Sequence, residues 1–185
     1  MVPSAQKKQA QTNDIELKKE TAASWFRSLR DKICNEFENI EKEFSSNNSG
    51  KFERRKWDRE GGGGGEMSIM KGNVFEKVGV NISTVHGEFS EKFRKEIPGA
   101  EGDGKFWASG ISLVSHMCSP LVPAVHMNTR FIVTSKSWFG GGADLTPMYV
   151  DEKDKSDFHD SFKNACDKFS PEYYPNFKKQ CDEYF

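Results

Sequence analysis

Long apolar runs are missing from this chain of 185 residues. No stretch approaches the roughly 20 apolar residues that a membrane span needs, and the opening MVPSAQKKQAQTNDIELKKE holds no apolar signal core, so a soluble protein without an export signal or integral membrane segment is expected. An excess of charge is missing too. With 27 basic residues against 28 acidic ones, no global field draws nucleic acid or an anionic membrane, and any anion binding must be local. Cysteine is scarce and scattered. Cys34, Cys118, Cys166 and Cys181 form no C-x-x-C pair, which argues against a zinc site and a disulfide framework and for reduced thiols in an intracellular protein. The five glycines of 61–65 are not followed by the Gly-Lys-Ser/Thr of a phosphate loop, and no internal repeat is visible.

What is present suits a single domain. Residues 1–13 are polar and read as a disordered tail, with one domain over 14–185. From Asp14 to Phe44 the positions Ile15, Trp25, Phe26, Leu29, Ile33, Phe37, Ile40 and Phe44 recur at helical spacing, and SSNNSG ends the pattern. Two short strands then flank the glycine run, which reads either as a mobile hairpin loop or as a lid. Strands are expected over 73–87, 106–117, 126–135 and about 144–150, with a polar surface excursion over 88–105. The stripe Phe158, Phe162, Ala165, Cys166 and Phe169 returns to helical period, and a last helix opens near Pro171. Short connections between successive strands favour antiparallel pairing, so the expectation is an α+β fold, an antiparallel β-sheet covered by α-helices.

Chemistry concentrates in GISLVSHMCSPLVPAVHMNTRF, residues 110–131. Alternation along a strand puts Ser112, Val114 and His116 on one face, and His126, Asn128 and Arg130 on one face of the next strand. The fork of Arg130 suits a carboxylate, Asn128 adds a donor and an acceptor, and His126 and His116 move protons near neutral pH. Together they describe a site for a carboxylate-bearing substrate. A second stretch, WFGGGADLTP at 138–147, lets backbone approach something closely and offers Asp144 as a carboxylate, or else is a tight turn or bulge. His159 lies at the flank of the last apolar stripe. The long spacings of the three histidines give little independent support to a metal site.

These two stretches, with PEYYPNFKKQCDEYF, resemble the oxygen-dependent coproporphyrinogen III oxidases of haem biosynthesis, and the likeness runs from about Phe52 to the last residue. The resemblance implies a homodimeric oxidoreductase. Its reaction converts two propionates of coproporphyrinogen III to vinyl groups, giving protoporphyrinogen IX, CO2 and H2O2, with O2 as co-substrate and no organic cofactor. It further implies His126 as the catalytic proton donor, substrate contacts at Ser112, Asn128, Thr129 and Arg130, and a divalent metal on His116, His126 and His159. The cytoplasm is the implied location, as in bacterial members, with the mitochondrion as the alternative. HMCSP and KKQC depart from the family pattern locally. The family's chain also continues past DEYF, into a segment that would carry further substrate contacts and much of the dimer interface. The chain therefore reads as a C-terminally truncated member, and an inactive fragment that at most binds tetrapyrrole is the alternative function.

Overall fold

The computed structural model describes residues 4–45, 47 and 49–184, with side chains from residue 12 onward. A long helix, α1 (Ser4–Phe44), is followed by strands β1 (Glu53–Asp58), β2 (Gly63–Met70) and β3 (Phe75–Glu88). A single helical turn, α2 (Glu91–Arg94), precedes β4 (Lys105–Met117), β5 (Ala124–Val133) and β6 (Ser137–Thr146), and α3 (Glu152–Asp167) and α4 (Tyr173–Tyr184) complete the order. The six strands form one antiparallel sheet in sequence order, β1-β2-β3-β4-β5-β6, as short connections require.

One face of the sheet carries α1. Ala22, Phe26 and Cys34 are buried against Met70, Val78, Val80, Ile111, Phe131 and Val133, with Leu29, Ile33 and Phe37 packed beside them. Phe37 meets Phe75 edge-on, ring centres 4.9 Å apart. A bulge between Phe75 and Lys77 shifts the phase of β3 by one residue. It lets Phe75 point into this core while Lys77 pairs with His116. Helices α3 and α4 lie at the β6 edge of the sheet, where α4 packs on β6 and α3 packs on α4.

Four sequence expectations are corrected. The 1–13 tail expected to be disordered is helical from Ser4, because Ala, Gln and Lys are good helix formers that extend α1 ahead of Asp14; residues 1–3 lie outside the described residues. Trp25, Ile40 and Phe44 belong to the apolar stripe by spacing but are exposed, and Glu41 is buried instead. The glycine run does turn a hairpin, at Gly62 and Gly63 with φ of 113° and 81°, but much of it is strand rather than loop, since Gly63, Gly64 and Gly65 pair in register with Val85, Thr84 and Ser83. WFGGGADLT is no turn, since the last strand spans 137–146 rather than 144–150.

Candidate active site

The expected alternation holds in the sheet. Ser112 lies opposite Asn128, Val114 opposite His126 and Gly110 opposite Arg130, and on the far side of β5 Asn128 meets Gly142 and His126 meets Asp144. Because side chains opposite one another across an antiparallel pair share a face, these residues stand together on the face away from α1. Asn81 on β3 extends the same row through its pairing with Ser112. Arg130 stands between two glycines, Gly110 and Gly140, in its own row, and its Nη2 donates to Asn128 Oδ1 at 3.2 Å.

Next to this pair runs a chain of three titratable groups. His126 Nδ1 lies 2.8 Å from Asp144 Oδ1, an oxygen that also accepts from Thr146 Oγ1 at 2.9 Å. An ionised carboxylate only accepts, so the Nδ1 proton belongs to His126 and its Nε2 is turned away from Asp144. His116 Nε2 sits 3.2 Å from that atom, and the two nitrogens share one proton. Asp144 therefore fixes the tautomer of His126, and His126 hands its free nitrogen to His116. Sequence phasing grouped both histidines with Asn128 and Arg130 correctly. Asp144 joined the group only through a β6 register that the glycine triplet disguised.

Thr129 and His159 lie elsewhere. Thr129 pairs with Ile111 and Gly141 and so points to the α1 side of the sheet, not alongside Asn128 and Arg130. His159 is on α3, its Nδ1 2.9 Å from the Tyr174 hydroxyl on α4. Burial pushes the Tyr174 phenol above its ordinary pKa. The three histidines therefore do not converge, and among the described residues no three His, Cys, Asp or Glu side chains are placed to hold a metal ion. The donor set does not fit a three-histidine centre. The cysteines stay outside this chemistry: all four are free, and burial pushes the Cys34 thiol up to about 11.

Between β5–β6 and α3–α4 lies an open trough of about 970 Å³. Its walls are apolar, with Met127, Phe139 and Leu145 from the α1 side of the sheet and Phe158, Phe162 and Phe177 from the helices; His159 and Tyr174 stand on its helical wall, and the polar row of Asn128 and Arg130 occupies the other face of the sheet. That volume and mixture of apolar wall with few polar groups fit a large organic ligand. Among the described residues no helix is long and apolar enough to cross a membrane.

A family profile described as coproporphyrinogen III oxidase matches residues 21–185. The oxygen-dependent coproporphyrinogen-III oxidase of Rickettsia bellii (strain OSU 85-389) is 64% identical over 170 residues, covering 90% of this chain and 61% of the relative. The proteins of the same name from Rickettsia akari (strain Hartford) and Rickettsia conorii (strain ATCC VR-613 / Malish 7) are 64% and 63% identical over the same shares. The chain thus spans 61% of the length of these relatives. With the profile matching residues 21–185, the chain belongs to the coproporphyrinogen III oxidase family.

Proposed function

We propose that this chain binds coproporphyrinogen III and carries the proton-handling side of its oxygen-dependent conversion to protoporphyrinogen IX, a step of haem biosynthesis. The observation that carries this reading is the convergence of Arg130, Asn128 and the His116–His126–Asp144 chain on one sheet face. A macrocycle edged with carboxylates presents the groups that such a row complements. The names of the Rickettsia relatives support the same substrate and oxidant.

The stoichiometry assigns the residues their work. Converting an ionised propionate to a vinyl group breaks the bond to the carboxylate, which leaves as CO2, and its electron pair closes the new double bond. The carbon next to the ring loses the equivalent of a hydride. Hydride, O2 and one proton make H2O2, so each vinyl group formed consumes one proton. Arg130 and Asn128 hold a carboxylate by charge-assisted hydrogen bonds. His126, oriented by Asp144 and in contact with His116, supplies the proton. The electron-rich porphyrinogen reacts with O2 itself, so no flavin or haem is required, and Ser112 and Asn81 present further hydrogen-bonding groups along the row.

Titration with coproporphyrin III, the stable oxidised analogue, tests the reading through quenching of the four tryptophans. Saturable binding is expected, weakened about tenfold or more by Arg130→Ala, the scale of a lost charge-assisted bond, with circular dichroism unchanged. No binding by the folded wild type, or equal binding by the variant, overturns it. An oxygen-uptake assay with the reduced substrate then separates turnover from binding alone.

A further inference from the structure

We propose that Gly140 sets which ligands reach Arg130: the space over it, on the face away from α1, receives a carboxylate-bearing arm of the substrate, held between the Arg130 guanidinium and the Trp138 indole N–H. This rests on the proposed binding of coproporphyrinogen III and adds a clearance and a donor to the polar row.

Two glycines face Arg130 from its neighbouring strands, and the fold asks different things of them. A Cβ on Gly110 would stand 2.7 Å from the Arg130 Cβ and 2.8 Å from the Thr129 oxygen, so Gly110 is needed to fit Arg130 itself. A Cβ on Gly140 would meet only the ring of Trp138, at 3.8 Å from Nε1 and 3.9 Å from Cδ1, which is ordinary contact. Gly140 has no positive φ either. Neither backbone nor packing requires a glycine there, and a glycine inside a strand weakens it. What such a residue permits is the close approach of another group to bare backbone.

The groups beside this space are donors without acceptors. Alternation along β6 places Trp138 and Gly140 on the face of Arg130, while Phe139 between them stacks on Phe131 of the core at 4.8 Å. Arg130 is exposed, forms no ion pair among the described residues, and commits only Nη2, to Asn128 Oδ1 at 3.2 Å. The Trp138 Nε1–H has no acceptor among the described residues. A guanidinium across from Gly140 and an indole N–H two residues before it can donate but not accept, so the group that suits both is an anion with two acceptor oxygens, a carboxylate. A side chain at position 140 would occupy the ground on which that arm lies.

Coproporphyrin III binding and urea unfolding test this together, with binding followed by the absorbance of the porphyrin so that loss of an indole does not disturb the readout. Gly140→Ala is expected to keep or raise the urea midpoint and to weaken binding about fivefold or more, the scale of a methyl forced into a filled contact. Gly140→Val should weaken binding further. Trp138→Phe, which keeps a ring and removes the N–H, should weaken it about three- to tenfold, the range for one hydrogen bond. Gly102→Ala, at another open position in the turn ahead of β4, should bind as the wild type does. The indole 1H–15N signal that Trp138→Phe lacks should shift when coproporphyrin III binds to the wild type. A lowered urea midpoint in Gly140→Ala, wild-type affinity in Gly140→Val or in Trp138→Phe, or an equal loss in Gly102→Ala overturns the inference. Loss of binding in Arg130→Ala with none in Gly140→Val or Trp138→Phe overturns it while leaving the proposed function standing; a folded wild type that binds no coproporphyrin III overturns both.

Discussion

The Glu41 carboxylate fills the space that a side chain on Gly72 would need: a Cβ at residue 72 would collide with all three of its terminal atoms. Glu41 is wholly buried, and its oxygens accept from the backbone amides of Asn73 at 2.8 Å, Val74 at 2.9 Å and Phe75 at 3.0 Å. The long helix thereby clamps the β2–β3 turn with one side chain. Removing the carboxylate strands buried donors, so Glu41→Ala should cost about 3–5 kcal/mol in urea unfolding. Gly72→Ala should destabilise through the same contact. A loss under about 1 kcal/mol for Glu41→Ala would refute the clamp.

The same carboxylate predicts acid sensitivity. Burial alone would raise its pKa, but the amides of Asn73, Phe75, Val74 and Gly50 outweigh it and hold Glu41 below its ordinary value. Glu38 is likewise lowered, with burial overcome by hydrogen bonds from Lys51 and the Phe52 amide. Groups whose pKa is lower folded than unfolded contribute fully above the unfolded value and lose that contribution as pH falls through the folded one. The urea midpoint should be flat from pH 7 to about 5 and then decline. Glu41→Gln should flatten part of that decline; an identical acid limb would show that other groups cause it.

Neighbours on α1 should behave as opposites. Phe26 is 1% exposed and Trp25 is 52% exposed, although both sit in the apolar stripe of the sequence. Phe26→Ala should cost about 3–5 kcal/mol, and Trp25→Ala less than about 1 kcal/mol. Comparable losses would mean that the helix is rotated about its axis from the orientation described.

The orientation of His126 by Asp144 is open to spectroscopy without any assay of turnover. In Asp144→Ala the Nδ1–H tautomer of His126 should give way to a mixture, whereas Asp144→Asn, which keeps an accepting oxygen, should preserve it. Turnover, where measured, should fall by about 10²-fold or more in the alanine variant, the scale of lost general acid catalysis. An unchanged tautomer in Asp144→Ala would remove Asp144 from the site.

Much of this architecture was legible in local pattern. Alternation at period two placed Ser112, His116, His126, Asn128 and Arg130 on one face, because a strand offers only two faces and the register confirms the phase. Long-range geometry was not legible. Glu41 looks like one more charge on a charged helix until the amides of a distant turn close over it. Trp25 and Phe26 differ by 100° of helix rotation, and only the position of the sheet decides which one is buried. His159 lay at the edge of an apolar stripe, and its partner Tyr174 comes from another helix, so the packing of α3 on α4 was needed to separate it from the other histidines. The glycines misled in both stretches, since glycine signals turns but here permits close backbone approach within strands, as at Gly65 beneath Trp57.

A sheet whose strands run in sequence order has two different ends. At one, β1 reads ERRKWD, with five charges in six residues; at the other, β6 reads SWFGGGADLT, with a single charge already engaged by His126. Charge along an outer strand discourages another chain from adding to it, and β6 has no such guard. Crowding this protein, whether in a concentrated preparation or in a cell that overproduces it, would therefore act unevenly. The β1 side repels company, and the side bearing the trough is where unwanted strand addition would begin and where a ligand seated beside β6 would do most to keep the chain dispersed.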